Sequence, residues 1–157
     1  MKKEIQHMKV VNTREYVSVL RELTEEGQEV SMRIAGSSMS PFLIHNRDII
    51  CFRKPEPDRR LRKGDMVFYQ RRSGQYVMHR ICRVRPEGYY MIGDAQWEIE
   101  GPISEEQIFA RIIRVKRKGK WIEPGDFWWE FFEHVWIRLI PFRRMIVRIY
   151  GKCYNKN

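Results

Sequence analysis

A mostly β domain, with one short helix ahead of it and helical material behind it, is expected from three observations. Six short segments rich in β-branched and aromatic residues are separated by Gly, Pro and Ser clusters, the punctuation of antiparallel strands. Only one segment before them has helical periodicity. After Trp121 the composition turns abruptly aromatic and then basic.

The elements follow in order. Asn12 sits where an N-cap belongs, Tyr16, Leu20 and Leu23 recur at i, i+4 and i+7, and Gly27 supplies a left-handed stop, which predicts a short amphipathic helix over 12–27. Val30, Met32 and Ile34 then alternate with Ser31 and Arg33, so a half-buried strand feeds the segment Ala35-Gly36-Ser37-Ser38. Further strands are expected over 48–52, 66–70, 76–84, 89–92 and 108–116. Arg71-Arg72-Ser73-Gly74 and Pro86-Glu87-Gly88 read as hairpin connections between them.

The chain divides into a domain over 1–125 and a C-terminal helical segment over 126–157. In the latter, Asp126 is placed to cap a helix. Glu130, Glu133, His134 and Arg138 form a narrow polar strip among aromatic and aliphatic residues, and Pro141 interrupts the run. Beyond it Phe142, Met145, Ile146 and Ile149 share one helical face and Arg144, Arg148 and Lys152 another. The charges leave no uncharged apolar run of about 18 residues, so a membrane span is not expected. Packing on the domain competes with an interfacial placement on anionic lipid, which the tryptophans and the basic end favour.

Four blocks carry chemistry. The first is Ala35-Gly36-Ser37-Ser38-Met39-Ser40-Pro41; the second, Arg47-Asp48-Ile49-Ile50; the third, Lys63-Gly64-Asp65-Met66-Val67-Phe68; the fourth, Met78-His79-Arg80, followed by Gly93-Asp94-Ala95-Gln96. In this order and wording they resemble the signal peptidase I superfamily of serine peptidases, which includes the self-cleaving repressors, over roughly residues 30–115. The resemblance implies a twisted, partly closed β fold of the signal-peptidase and repressor-protease kind. It makes Ser38, the serine before Met39, the nucleophile. His79 stands where bacterial-type members carry a lysine base, so the similarity is to the Ser-His, endoplasmic-reticulum-like branch. Arg47 replaces the family's usual glycine, and Gln96 departs from its usual asparagine.

The chemistry is consistent with those roles. A serine hydroxyl needs a neighbouring base as it attacks a carbonyl. An imidazole is largely neutral at pH 7 and serves as one, and its activity should fall on the acid side as it protonates. A carboxylate that accepts from the other ring nitrogen fixes the tautomer. Asp94 is the candidate for that position and Asp65 its rival, while a Gly-Asp or Arg-Asp at a strand start, as at Asp65 and Asp48, is equally well explained as turn chemistry. The oxyanion hole is expected to use the Ser38 backbone N–H, with Ser37 as a weak second donor. Met39 and Pro41, with Phe42 and Leu43, either line a substrate pocket or pack the core. An extended peptide would bind by strand addition.

Among the other histidines, His7, His45 and His134 have no partners at metal-ligand spacing, so neither a metal nor another cofactor is expected. Cys51, Cys82 and Cys153 form no CxxC pair and suggest a reducing compartment. The 157-residue chain has a formal net charge of +10, from 30 Lys plus Arg against 20 Asp plus Glu. This points to an anionic partner, a membrane surface ahead of nucleic acid because no reading module precedes the β region. The N-terminus lacks the apolar core of a signal peptide, so the expected location is cytoplasmic or peripheral on a membrane. The expected activity is that of a serine endopeptidase cutting signal, leader or pro-peptide-like segments. The alternatives are a regulator related to the self-cleaving repressors and an inert peptide-binding or membrane-surface module.

Overall fold

A computed structural model describes residues 13–154, with side-chain surroundings defined over 15–149. Helix α1 (Thr13–Glu25) comes first, then strands β1 (Val30–Arg33), β2 (Ile49–Arg53), β3 (Met66–Gln70), β4 (Tyr76–Arg85), β5 (Gly88–Ile92), β6 (Glu100–Ile103), β7 (Ile108–Arg117) and β8 (Lys120–Ile122). The C-terminal helical segment begins with α2 (Phe127–Glu130). It continues through a π-helical turn (Phe131–Val135) and a 3-10 stretch (Trp136–Phe142) into α3 (Arg143–Tyr154). The expected N-cap Asn12 lies outside the described residues.

The strands form one antiparallel sheet in the order β1-β2-β7-β3-β4-β5-β6, with β8 paired to β7 off this path. The path does not return on itself, so the sheet is open rather than partly closed. Every strand expected from the sequence is present within one or two residues. Two further strands, β6 and β8, appear where none is expected. Gly101-Pro102 lies inside β6 and Lys118-Gly119 just before β8, and such residues ordinarily read as loop. Tertiary pairing overrides them here, since β6 is held on β5 through Tyr89↔Ile103 and Met91↔Glu100.

Period-two alternation sends the two faces of the central strands to different places. Met66, Phe68 and Met78 join the main core with Phe52, Phe109 and Ile112, while Val67, Tyr69 and Ile81 join a second cluster with Leu61, Met91 and Ile108. Tyr69 and His79 fall on this second face, because Val67↔His79 and Tyr69↔Val77 are alternate pairs on the β3–β4 ladder, with Phe68↔Met78 between them facing the main core.

The C-terminal segment completes the main core. Trp129, Phe132 and Trp136 are buried in it, and Phe132 packs on Phe42 with ring centroids 4.7 Å apart. Between residues 127 and 142, packing on the domain therefore accounts for one face of the segment. Glu133, expected in a solvent strip, is buried instead; it accepts a bond from Trp129 Nε1 at 2.7 Å and lies against Gly64. A Cβ on Gly64, whose φ is +100°, would come within 2.5 Å of Glu133 Cγ, so that glycine admits the segment. Burying each of the three aromatic side chains is worth roughly 1.5–3 kcal/mol. The opposite face stays exposed: Phe127 and Trp128 on α2, Met145, Val147 and Ile149 on α3. No described helix is long and apolar enough to cross a membrane.

Candidate active site

A cleft of about 310 Å³ opens between the end of β1 and the start of β4. Ala35, Gly36, Ser38 and Met39 line it from one side, and Gln75, Tyr76, Val77 and His79 from the other. The structure thus brings Ser38 and His79, 41 positions apart in sequence, to one cavity. The two side chains are not hydrogen-bonded to one another, a separation common in sites without bound substrate.

Ser38 sits in a run of tight turns that follows β1. Ser40 N–H donates to the Ser37 carbonyl at 3.0 Å and Leu43 N–H to the Met39 carbonyl at 2.9 Å. Met39, Phe42 and Leu43 are buried beneath the turn, so Met39 both lines the cleft and anchors the loop. Arg117 donates to the Phe42 carbonyl at 2.8 Å, with its guanidinium near the rings of Phe42 and Trp128. On the other side the Ser38 carbonyl accepts from Ala95 N–H at 2.8 Å. Gly93 passes so close that an added Cβ would lie 2.5 Å from that carbonyl oxygen. Any side chain at position 93 would push the Ser38 loop away.

His79 is 3 % exposed and sits on β4 beside Tyr69. The Tyr69 hydroxyl is 3.2 Å from Nδ1 of His79 and donates to Glu100 Oε2 at 2.8 Å. Arg71 holds Glu100 with two bonds of 2.7 Å, which keeps that carboxyl below its ordinary range and therefore ionised. A phenol has one proton, and here it goes to Glu100. The imidazole must then supply the proton of the other bond, with His79 Nδ1–H donating to Tyr69 Oη. This tautomer leaves the lone pair on Nε2. Burial pushes the His79 pKa down to about 4, so the ring is neutral over most of the working range. Burial together with the Glu100 bond raises the Tyr69 hydroxyl well above its ordinary value.

Asp94 does not take the place expected for it. Its fully buried carboxylate accepts from Arg80 Nε at 3.0 Å and Nη2 at 2.9 Å, and Arg80 also donates to the Gly64 carbonyl at 2.9 Å. The pair fastens the Gly93–Gln96 turn to the sheet behind the cleft, so Asp94 positions the Ser38 loop at one remove, while the Nδ1 bond of His79 goes to Tyr69. Asp65 is likewise committed, to Arg59 by two bonds and to Arg62 N–H. Asp48 is committed to Arg47 and to the N–H groups of Ile44 and Lys118. Both are turn braces, as their sequence context allowed. Ser37 is exposed and Pro41 exposed with its carbonyl toward Arg117, and neither lines the cleft.

The C-terminal segment reaches the same turn. Trp136 Nε1 donates to the Asp94 carbonyl at 2.9 Å, and buried Arg143 donates to the carbonyls of Gly93 and Gln96 at 2.9 and 2.8 Å. The sequence reading missed this brace, and also Tyr69, Glu100 and Arg71. Tyr69 and His79 lie on one sheet face only once the β3–β4 register is known, and Glu100 belongs to an unexpected strand.

Among the described residues one grouping has the chemistry of metal ligands: Glu130, Glu133 and His134 bring their ligand atoms within 4.8 Å of one another, at a spacing overlooked in the sequence. Each already has a protein partner. Glu130 accepts from Gly125 N–H and pairs with His134 at 3.0 Å, and Glu133 accepts from Trp129.

Comparison of the chain with protein-family models, with curated proteins and with solved structures returns no match.

Proposed function

We propose that this protein is a serine endopeptidase similar to the signal peptidase I superfamily, with Ser38 as nucleophile and His79 as base. The observation that carries the reading is the shared cleft. A serine on a braced turn and a neutral, tautomer-fixed histidine line one cavity beside a strand end. An extended peptide enters along β1, the end strand of the sheet, and adds to it by main-chain hydrogen bonds. Met32, Ile34 and Met78 offer apolar contacts to its side chains.

As Ser38 Oγ attacks the scissile carbonyl carbon, Nε2 of His79 takes the hydroxyl proton, and the Ser38 backbone N–H faces the developing oxyanion. Nε2 then returns the proton to the departing amine as the C–N bond breaks. Water repeats the sequence on the acyl-enzyme and frees Ser38. Throughout, the imidazolium is stabilised through Nδ1–H by Tyr69, which relays the negative charge of Glu100. This replaces the orienting role first expected of Asp94. Substrates of the signal, leader or pro-peptide kind follow from the resemblance.

The test is mass spectrometry of a diverse peptide mixture, including signal-peptide-like sequences, incubated with wild type or Ser38→Ala. Cuts made by the wild type and lost in the variant support the reading. Cuts retained in the variant remove Ser38 from the mechanism. Peptides that bind but stay intact with both folded proteins point instead to an inert peptide-binding module.

A further inference from the structure

A second, broad groove of about 900 Å³ lies between the end of β4 and the 3-10 stretch, with Ile99 among its lining residues. Five of its twelve lining residues are cationic, Arg62, Lys63, Arg83, Arg85 and Arg138, and none is acidic. Its floor is apolar, made by Leu61, Val84, Ile99, Ile137 and Ile140. Val84 and Ile99 are 44 % and 43 % exposed, and neighbouring Trp97 is 46 % exposed. A sixth cation, Arg144, stacks 5.0 Å over the Trp97 ring.

The groove's charges are largely unspent. Arg62 is shared with buried Glu133 at 3.6 Å, and Arg83 lies over the Tyr90 ring at 5.9 Å. Of the acids close by in sequence, Asp65 is held by Arg59, Glu100 by Arg71, Glu133 by Trp129 and Arg62, and Glu87 accepts from Tyr90, while Glu98 lies between Trp97 and Ile99. With five cations and no acid in its own lining, the groove is strongly positive. Residues 83–85 are exposed in succession at the end of β4, where Arg83 and Arg85 project from one strand face and Val84 from the other. Guanidinium groups around exposed aliphatic and indole side chains match an anionic lipid interface, where phosphates meet acyl chains. A soluble polyanion would be met by the charges alone and would leave the apolar floor unmatched.

We infer that this groove is a membrane-docking face that seats the protein on anionic phospholipid through Arg83, Arg85 and Arg138 around Ile99, with Trp97 at headgroup level. The inference does not depend on the peptidase reading. It locates lipid contact on the β4 end and the 3-10 stretch rather than on the aromatic residues of α2, whose inner face is in the core.

The test is co-sedimentation of the full chain with vesicles of phosphatidylglycerol mixed with phosphatidylcholine, and with vesicles of phosphatidylcholine alone. Wild type is expected to bind the anionic vesicles, to lose binding as salt rises, and to ignore the zwitterionic ones. Arg83→Gln/Arg85→Gln should weaken partitioning roughly tenfold or more. Ile99→Asp should do the same with the charges in place, and circular dichroism of each variant checks that it is folded. Met145→Asp/Ile149→Asp on α3 should bind as wild type does. Equal binding to both vesicle types, wild-type binding by the groove variants, or loss in the α3 variant alone would overturn the inference. So would an Arg83- and Arg85-dependent affinity for a single-stranded oligonucleotide without affinity for lipid.

Discussion

The hydroxyl of Tyr69 lies 3.2 Å from Nδ1 of His79, and its own proton is committed to Glu100. This relation fixes which nitrogen of the imidazole is basic. Tyr69→Phe keeps the ring in its packing but leaves a buried N–H without an acceptor, at a cost of about 1–3 kcal/mol to the required tautomer. Peptide cleavage by this variant should fall roughly 10- to 100-fold, mainly in kcat with little change in KM. Glu100→Gln should behave similarly. Steady-state kinetics decide the matter, and a loss confined to KM would assign Tyr69 to substrate binding.

The pH dependence carries a second expectation. A histidine of ordinary pKa would place the acid limb of the rate near pH 6.5, as the sequence alone suggests. Burial moves His79 to about 4, so cleavage should persist at pH 5 and fail nearer 4. The same shift acts on stability. The unfolded chain takes up the proton near 6.5 and the folded one only near 4, so stability falls as pH drops through that interval, by about 3 kcal/mol at most. Glu56 is held down to about 2 by Arg111 and Arg53 and loses its contribution at lower pH, so the difference between wild type and a His79 variant isolates His79 between about 6.5 and 5. Urea unfolding of wild type and His79→Gln measures it. A wild-type midpoint that does not change across that window, or a rate that halves near 6.5, would show a solvated imidazole instead.

β1 was legible from its alternation, and β3 and β4 as β-branched and aromatic runs bounded by turn residues. Ser38 and His79 were legible as candidates because their neighbours, Met39-Ser40-Pro41 and Arg80, give local wording. The third member of the site was not. Asp94 follows a glycine and stands at a turn, the setting a sequence reading favours, yet two bonds from Arg80 absorb its carboxylate. Glu100 acts through Tyr69 from a strand whose Gly101-Pro102 conceals it. Contacts set by sheet register and by a relayed hydrogen bond leave no linear spacing to find. The placement of Glu133 failed for a related reason: Gly64, 69 positions away, makes room for it.

The Arg80–Asp94 pair separates a catalytic aspartate from a structural one. An aspartate that orients the base would, on replacement by Asn, lower kcat severely in a protein of unchanged stability. The pair seen here is buried on both sides, so Asp94→Asn leaves the Arg80 charge poorly compensated and should cost roughly 3–5 kcal/mol of stability. Thermal unfolding should register most of the effect, and the activity remaining per folded molecule should exceed that of Tyr69→Phe. A stable Asp94→Asn protein with abolished cleavage would return Asp94 to the reaction.

Gly93 offers a probe of how tightly the Ser38 turn must be held. Its backbone runs against the Ser38 carbonyl, with an alanine Cβ due to arrive 2.5 Å from that oxygen and Gln96 Oε1 at 2.9 Å on the same side. The Gln96 side chain can rotate away, but the Ser38 carbonyl is held by Ala95 N–H and the turn beneath it by Met39 and Phe42. The strain must therefore move Ser38 relative to His79. Gly93→Ala should lower stability by about 1–3 kcal/mol. Its kcat should fall by more than the folded fraction explains, because a displacement on the order of 1 Å at the reacting atoms costs roughly 100-fold. Comparing single-turnover cleavage with unfolding midpoints separates the two effects. A variant that loses stability but cleaves normally per folded molecule would show that the turn tolerates displacement and that Gly93 serves packing alone.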